Sequence, residues 1–186
     1  MPNLEARSVK DAQRTRQAIL LAAQEAFSTG GYQNTGIRDI TARAGVSVAL
    51  VNRYYGSKER LFEEALADTM TPLTIKDIPR AEFGSRMVSL LLDGVGLRPP
   101  PLPMMVLASG DPGARAVTQR LLTKFVYEPM AQWLGPHEGH ARAARFMMLS
   151  AGLVLYSRIY HLDVLVPEAD PSMRQWLLEQ FQAMVD

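Results

Sequence analysis

Asn52 and Arg53 are neighbours in the stretch SVALVNRYYGSK, and each carries a side chain that can make two hydrogen bonds to one partner. A carboxamide can bond two atoms on the edge of an adenine, and a guanidinium two atoms on the edge of a guanine. Ala49 and Leu50, just before them, can pack against the methyl group of a thymine. On the exposed face of one helix, these residues could therefore distinguish base pairs in the major groove of DNA.

Two short helices joined by a tight turn are predicted to position these side chains. Apolar residues recur at helical spacing up to Ala44, and Gly45 then favours the left-handed conformation that ends a helix. Ser47 is expected to cap the second helix with its hydroxyl, and Val51 and Tyr55 are expected to face the core. A helix, a turn containing glycine and a second short helix constitute a helix-turn-helix, whose second helix enters the major groove.

The distribution of charge favours DNA binding at one end of the chain. Residues 1–60 hold nine Lys or Arg and five Asp or Glu, whereas residues 61–186 hold eleven and fourteen, so +4 and −3 combine to the net +1. A basic N-terminal third beside an acidic remainder is typical of a DNA-binding end. Tyr54 and Lys58 would then lie at the rim, where the phosphates are. The spacing also fits an ordinary pair of packed helices with Arg53 and Lys58 merely solvated.

The segment GYQNTGIRDITARAGVSVALVNRYYGSKERLF resembles the N-terminal domain of the tetracycline-repressor (TetR) family of bacterial regulators. The resemblance spans roughly residues 11–66 and rests on residues in a specific order: Gly31-Tyr32, Thr35, Ile40, Ala44-Gly45-Val46-Ser47, Tyr54-Tyr55 and Ser57-Lys58-Glu59-Arg60-Leu61. Three residues depart from the family pattern: Gly36 replaces Ser or Thr, Asn52 replaces Tyr, and Tyr55 replaces Phe. Because Asn52 changes what can be read in the groove, the operator sequence cannot be inferred from relatives.

The resemblance implies a homodimeric, ligand-responsive repressor that binds a pseudo-palindromic DNA operator. In such proteins a ligand tilts the helix that bridges the DNA-binding domain and the rest, and so changes the spacing of the two recognition helices. The resemblance also adds Arg38 as a candidate for a groove contact. The predicted DNA-binding set is Thr35, Arg38, Ser47, Val48, Ala49, Leu50, Asn52, Arg53, Tyr54 and Lys58.

The chain of 186 residues is predicted to be all-α, with about nine helices and no strand pattern. An N-terminal three-helix DNA-binding domain is expected over residues 1–70, with a first helix near 11–28 and the bridging helix near 57–70. A helical-bundle regulatory domain is expected over residues 71–186. Proline-rich connectors are expected at 71–79 and 94–103, and Pro129 is expected to bend or break a helix.

Composition excludes several classes of protein. There is no cysteine, and hence no disulfide framework and no thiolate metal site, which fits the cytoplasm. No secretory signal is visible, and no apolar run is long enough to cross a membrane. His137 and His140 lie in a loop without a strong third ligand, so neither a metal nor a cofactor is expected. No phosphate loop or nucleophile constellation is visible, so an enzyme is not expected.

Two C-terminal helices are predicted to form a dimer interface. The segment 141–162 is apolar on nearly every side and must therefore be buried on every side. Asp170-Pro171 is a strong start signal for the last helix. The predicted interface residues are Phe146, Leu149, Gly152, Leu153, Trp176, Leu177 and Phe181. The alternative is that both helices simply complete the core of a monomer.

A group of flexible apolar side chains predicts a pocket for a hydrophobic, neutral or weakly polar effector. The predicted lining is Met87, Met104, Met105, Phe125, Met147, Met148 and Tyr156. The polar candidates are Tyr127, Tyr156, Ser157 and Tyr160, with Arg120 or Arg158 for an anionic ligand. For any one methionine, a place in the ordinary core fits equally well. Two other functions stay open at this point: a dimeric protein–protein interaction module and a small-molecule-binding enzyme.

Overall fold

The computed structural model of the chain describes residues 4–70, 77–93, 101–165 and 170–186, and these ranges contain helices and no strand. The predicted all-α class is therefore confirmed. We call residues 4–70 the head and residues 77–186 the body. The head contains α1 (Leu4–Asn34), α2 (Ile37–Ala44), α3 (Val48–Tyr55) and α4 (Lys58–Met70). The body contains α5 (Phe83–Val88), α6 (Pro101–Ala108), α7 (Pro112–Leu122), α8 (Glu128–Leu134), α9 (Gly139–Val154) and α10 (Pro171–Gln182).

The helix around Pro129 is not broken, because a wider turn precedes the proline. A π-helical turn, Thr123–Tyr127, joins α7 to α8, and the Glu128 N–H bonds to the Thr123 carbonyl five residues back. Proline has no N–H to donate, so a wider turn beside it lets the helix continue. Similar π turns extend α5 through Ser89–Asp93 and α9 through Leu155–Ile159. With α7 and α8 taken as one continuous helix, the described ranges contain nine α-helices, and short 3₁₀ helices lie at Arg80–Glu82 and Asp163–Leu165.

The core of the head is built on an aromatic cluster of Phe27, Tyr32 and Phe62. The Phe62 ring lies 5.2 Å from the Phe27 ring and 5.1 Å from the Tyr32 ring, between centroids. Gly31 ends the regular part of α1 with φ of 73°, which only glycine adopts readily. A Cβ at Gly31 would lie 3.1 Å from the Leu107 carbonyl oxygen, so α6 of the body packs closely there.

The bridging helix α4 is attached on both sides. Its buried residues pack against α1, and the carboxamide of Gln24 donates to Asp68 at 2.8 Å. On the other side, Arg120 of α7 donates to Glu63 at 2.7 Å. A second ion pair joins Arg16 of α1 to Glu64. The head and body are thus connected through α4 as well as through α6.

The predicted start signals of the body helices are confirmed. Asp111 accepts a hydrogen bond from the Ala114 N–H at 2.9 Å, and Asp170 accepts one from the Ser172 N–H at 2.8 Å. Arg174 of α10 forms a bidentate salt bridge, at 2.8 and 2.9 Å, with Asp93 at the end of the π turn that extends α5. The hydrogen bond from Arg174 lowers the pKa of the Asp93 carboxyl.

The two proline-rich connectors lie partly outside the described residues, at 71–76 and 94–100. The second connector is expected to extend to residue 103, but α6 already begins at Pro101, so the predicted end of the connector is wrong. Prolines are tolerated there because the first turn of a helix has no partner for its N–H groups. No helix in the described ranges is both long and apolar enough to span a bilayer.

Candidate functional site

The turn between α2 and α3 has the predicted geometry. Asp39 accepts a hydrogen bond from the Gly36 N–H at 2.8 Å at the start of α2. Gly45 is left-handed, with φ of 65° and ψ of 34°, and the Val46 N–H bonds to the Thr41 carbonyl at 3.1 Å. Ser47 stands at the cap position of α3, but its hydroxyl makes no capping bond, so that expectation is wrong.

The inner face of α3 is fixed to α1 by Val51 and Tyr55, which are 1% and 3% exposed. The Tyr55 hydroxyl donates to the backbone carbonyl of Arg16 at 2.8 Å, and the Arg16 guanidinium lies 5.5 Å from the ring centroid. Burial raises the pKa of Tyr55 to about 12, so the phenol stays protonated and can donate at neutral pH. This contact sets the orientation of α3 against the head.

The outer face of α3 is free for a partner. Ala49, Asn52 and Arg53 are exposed, as predicted from their spacing, and they lie on the side opposite Val51 and Tyr55. Ser47, Val48 and Arg38 of the neighbouring α2 are exposed as well, while Leu50 and Tyr54 are half-buried against the core. The arrangement presents a carboxamide and a guanidinium together, the pair that can bond adenine and guanine edges.

Thr35 differs from its predicted role. Its side chain is buried, with 4% exposed. The hydroxyl lies 2.7 Å from the Gly31 carbonyl oxygen and 3.1 Å from that of Ala26, so its hydrogen bond closes the end of α1. The expectation that this side chain contacts DNA is therefore corrected to a role in shaping the head.

Lys58 is also engaged within the protein. Its ammonium lies 4.3 Å from the centroid of the Tyr32 ring, a cation–π contact at the junction of head and body. Burial lowers the pKa of Lys58, and the carboxylate of Asp111 acts in the opposite direction. The predicted phosphate contact would require this ammonium to leave the ring.

A cleft of about 710 Å³ opens in the body between α5, α6, α7 and α9. Its described lining is mostly apolar, and its two ionisable side chains, Asp77 and Arg86, are exposed. The lining comprises Asp77, Ile78, Pro79, Arg86, Met87, Leu90, Leu91, Pro101, Leu102, Met105, Val106, Thr118, Leu122, Val126, Phe146, Met147, Met148, Ser150 and Ala151. Its size and apolar walls are those of a small-molecule site.

Four of the seven predicted lining residues, Met87, Met105, Met147 and Met148, line this cleft. The other three do not, and for them the expectation is wrong. Met104 is fully buried in the core, because adjacent residues on α6 point in different directions. Phe125 is half-buried beside Lys124, and Tyr156 belongs to a separate surface groove.

The predicted polar anchors have other partners. Arg120 bonds to Glu63, Arg158 donates to the Leu92 carbonyl at 3.2 Å, and Ser157 donates to the Leu153 carbonyl at 2.6 Å. Tyr127 packs near His140, and Tyr160 is exposed. Among the described residues, no group of three or more His, Cys, Asp or Glu could hold a metal ion.

Sequence reasoning missed Thr118 and Ser150 in the cleft. Both hydroxyl oxygens are buried without a hydrogen-bond partner among the described residues, and both residues line the cleft. A signal was present for one of them, because Ser150 interrupts the apolar run FMMLSAGLVL. A single polar residue in such a run indicates a specific requirement for a polar group.

An exposed apolar face runs along α9 and α10. Met148, Tyr156 and Trp176 are 67%, 47% and 47% exposed, although all three are large and apolar. Gly152 lies between the first two along α9, and a Cβ there would meet no atom within 4 Å. Met148, Gly152 and Tyr156 are four residues apart and so form one stripe.

The predicted dimer residues divide between this face and the core. Leu149, Gly152 and Trp176 border the groove on the face, whereas Leu153 and Leu177 form its buried floor. Phe146 and Phe181 are buried, with their ring centroids 5.8 Å apart, so both contribute to the core of one chain. Because α9 has apolar residues on all sides, its sequence pattern does not indicate which of them face the core.

Two family models match the chain. Residues 19–65 match the one described as "Bacterial regulatory proteins, tetR family". Residues 81–185, more than half of the chain, match "Tetracyclin repressor-like, C-terminal domain". The chain belongs to the tetracycline-repressor (TetR) family. The TetR resemblance inferred from residues 31–62 is thereby confirmed.

Curated relatives match part of this TetR-family protein. The HTH-type transcriptional repressor Rv3405c of Mycobacterium tuberculosis (strain ATCC 25618 / H37Rv) is 44% identical over 57 residues. The HTH-type transcriptional regulator Mb3439c of Mycobacterium bovis is likewise 44% identical over 57 residues. The aligned part spans 31% of this chain and 30% of each relative, so the match covers less than a third of their length.

Solved structures match this TetR-family protein over nearly its whole length. The TetR-family regulator SCO0857 from Streptomyces coelicolor A3 is 26% identical with a TM-score of 0.53, covering 93% of this chain and 95% of that one. NalD, the secondary repressor of the MexAB-OprM multidrug efflux pump in Pseudomonas aeruginosa, is 21% identical with a TM-score of 0.59, covering 94% and 96%. The likeness to NalD shows a shared fold.

In this TetR-family protein, Tyr55→Phe should lower the free energy of unfolding by about 0.5–1.5 kcal/mol, because the hydrogen bond to the Arg16 carbonyl is lost. Urea denaturation followed by circular dichroism measures the change. Tyr160→Phe is the matched control, since that ring is exposed and its loss of a hydroxyl should leave stability unchanged. Equal stabilities for both variants would contradict the anchoring role of Tyr55.

Proposed function

We propose that this protein regulates transcription by binding a pseudo-palindromic, double-stranded DNA operator as a homodimer. The observation that carries the proposal is the outer face of α3, where Ala49, Asn52 and Arg53 are exposed together. Val51 and Tyr55 hold the opposite face of the same helix against the head. A rigidly held helix with base-reading side chains on its free face is the arrangement that major-groove recognition requires.

Repression is the favoured outcome of that binding. Two proteins that resemble the chain, Rv3405c and NalD, are both named repressors. The protein is proposed to act by binding alone, without catalysis and in the cytoplasm, where bacterial DNA is accessible. The expected partners are the operator, a hydrophobic effector and a second copy of the chain.

The exposed face of α9 and α10 supports the homodimer. Large apolar side chains on one continuous face favour association, because burying them removes apolar surface from water. A homodimer also fits the proposed operator. Two recognition helices related by a two-fold axis can enter successive major grooves, about 34–36 Å apart.

The cleft supports an effector that controls the spacing of the recognition helices. Two of its walls continue to the head: α6 through the contact of Leu107 with Gly31, and α7 through the bond of Arg120 to Glu63. A ligand that packs against α6 and α7 can therefore favour one position of α4 over another. If that position spaces the two α3 helices wrongly for the operator, DNA affinity falls by a shift in population.

Arg53→Ala should weaken operator binding by about 1–3 kcal/mol, roughly 5- to 150-fold, and relax base preference at one position in each half-site. The reason is the loss of a guanidinium that is exposed on the recognition face. The measurement is selection of binding sites from random duplexes, followed by fluorescence anisotropy at fixed salt on the selected site and its single-base variants.

Arg115→Ala on α7 is the matched control, because it removes the same charge from an exposed position of the body that is not on the α9–α10 face, and it should leave binding unchanged. Unaltered affinity and unaltered base preference in the Arg53 variant would refute this docking of α3. Failure of the unmodified protein to select any sequence would instead favour an interaction module without a DNA target.

A further inference from the structure

Two residues that line the cleft carry hydroxyl groups with no hydrogen-bond partner within the described ranges. Ser150 of α9 is 3% exposed, and its Oγ is unpaired, as is the buried Oγ1 of Thr118 on α7. Other hydroxyls in the helices of this protein donate to a carbonyl of the preceding turn: Thr69 to Leu66 at 2.7 Å and Ser157 to Leu153 at 2.6 Å. Ser150 and Thr118 therefore lack the hydrogen bond that a hydroxyl in a helix usually makes to a backbone carbonyl of the preceding turn.

An unpaired buried hydroxyl costs free energy, because it loses its bonds to water and gains none in the protein. Four buried polar side-chain atoms of the described residues are unpaired, and two of them belong to residues that line this one cleft. They come from two different helices, so no feature of a single helix accounts for both. A ligand that fills the cleft would touch both α7 and α9, and either hydroxyl could bond to it once its side chain turns towards the cleft.

The lining also limits the charge of such a ligand. Asp77 and Arg86 carry opposite charges and are exposed, and the other described lining residues have no ionisable side chain. An ionised group deep in the cleft would therefore lose its hydration without gaining a counter-ion. A neutral oxygen needs one hydrogen bond, and the two hydroxyls can supply it.

We propose that the cleft binds a neutral lipophilic molecule bearing a carbonyl or hydroxyl group, whose oxygen is bonded by Ser150 or Thr118. This inference rests on the proposed function, in which the cleft is the effector site, and it adds the chemical class of the effector. The apolar walls bind the hydrocarbon part, and the two hydroxyls select for the oxygen. Hydrogen bonds between ligand and protein are stronger in such a water-poor setting than at the surface.

The test compares two probes of nearly equal shape, cyclododecanone and methylenecyclododecane, which differ by a carbonyl oxygen against a methylene group. Affinities are measured on the full chain by displacement of the neutral dye Nile red and by the rise in melting temperature. A purely apolar cleft would prefer the hydrocarbon, which is the less soluble in water. The proposal predicts the reverse, with the ketone bound at least about tenfold more tightly.

The double variant Ser150→Ala with Thr118→Val should reverse this preference, and each single variant should lose part of it. Without ligand, these variants should melt at the same temperature as the unmodified protein or higher, because unpaired hydroxyls are removed. Ser109→Ala, at an exposed serine outside the lining, is the control and should retain the preference for the ketone.

Equal or tighter binding of the hydrocarbon to the unmodified protein would overturn the role of the two hydroxyls and leave an apolar effector site intact. Binding of neither probe, with no dye displaced, would overturn both this inference and the proposed effector cleft. Retention of the ketone preference in the double variant would assign the oxygen to other residues and would also refute the inference.

Discussion

Gly152→Glu should convert the protein to monomers and lower its operator affinity by at least about 100-fold, because the two linked half-site contacts become independent. Gly152 lies between the exposed Met148 and Tyr156 on α9, and a Cβ there meets no atom within 4 Å. The substitution therefore leaves the fold of one chain undisturbed. At an interface between two copies, it would bury a carboxylate without a partner, which is strongly unfavourable.

Sedimentation equilibrium gives the oligomeric state, and anisotropy on the operator gives the affinity. Gln132→Glu, which adds the same charge at an exposed position of α8, is the control and should remain dimeric. Gly152→Ala separates size from charge and should also dimerise. A dimer of unchanged dissociation constant from Gly152→Glu would show that the α9–α10 face is not the interface.

The structure also changes which substitutions test the interface. A charge at Leu153 or Phe181, both predicted interface residues, is not a clean test, because both side chains are buried in one chain. Charged variants there would lose the fold before they could report on dimers. Tyr156 and Trp176 are exposed, so charged variants at these positions test association without disrupting the core of one chain.

Phe62→Ala should lower the free energy of unfolding by about 3–5 kcal/mol, a large share of the stability of a domain of this size. Phe62 is fully buried, and its ring packs at steep angles, 87° and 71°, against Phe27 and Tyr32. Removing the ring leaves a cavity between α1 and α4. Guanidinium denaturation measures the change, and DNA affinity should fall with it because α4 loses its support.

Phe62→Leu is the matched comparison, because it keeps an apolar side chain in the cluster and should cost about 1.5 kcal/mol or less. A loss below about 1 kcal/mol for Phe62→Ala would mean that the cluster collapses around the gap. The aromatic cluster would then contribute little to holding the bridging helix.

Local signals explain why several helix ends in the head and the body could be predicted from the sequence. Gly31 and Gly45 end their helices through backbone conformations that other residues avoid, and Asp111 and Asp170 cap the helices that follow them. Each of these effects depends on residues within four positions along the chain. Secondary structure and the identity of the recognition helix therefore follow from short stretches of sequence.

The direction of side chains depends on partners far along the chain, and here prediction was less successful. Met104 and Met105 are adjacent and chemically alike, yet one is core and the other lines the cleft. Thr35 lies in the recognition motif, but the carbonyls at the end of α1 draw its hydroxyl inward. Neither the burial of Met104 nor that of the Thr35 hydroxyl can be predicted from the spacing or composition of the sequence.

The family match and the fold settle the class of protein, while the site residues themselves remain predictions. Arg38, Asn52 and Arg53 have the exposure that a DNA contact needs. Ser150 has a signal in the sequence, because it interrupts an apolar run, whereas Thr118 has none. Only the folded chain shows that both buried hydroxyls lack a partner among the described residues.

The two ion pairs on α4 have a mechanical consequence. Arg16–Glu64 and Arg120–Glu63 are solvent-exposed, with side chains 38–56% accessible, whereas Phe62 and Leu66 are fully buried. Exposed ion pairs contribute about 0.2–1 kcal/mol each and are screened by salt. The buried side chains of α4 therefore provide most of its attachment, and the two ion pairs add a smaller part that weakens as the ionic strength rises.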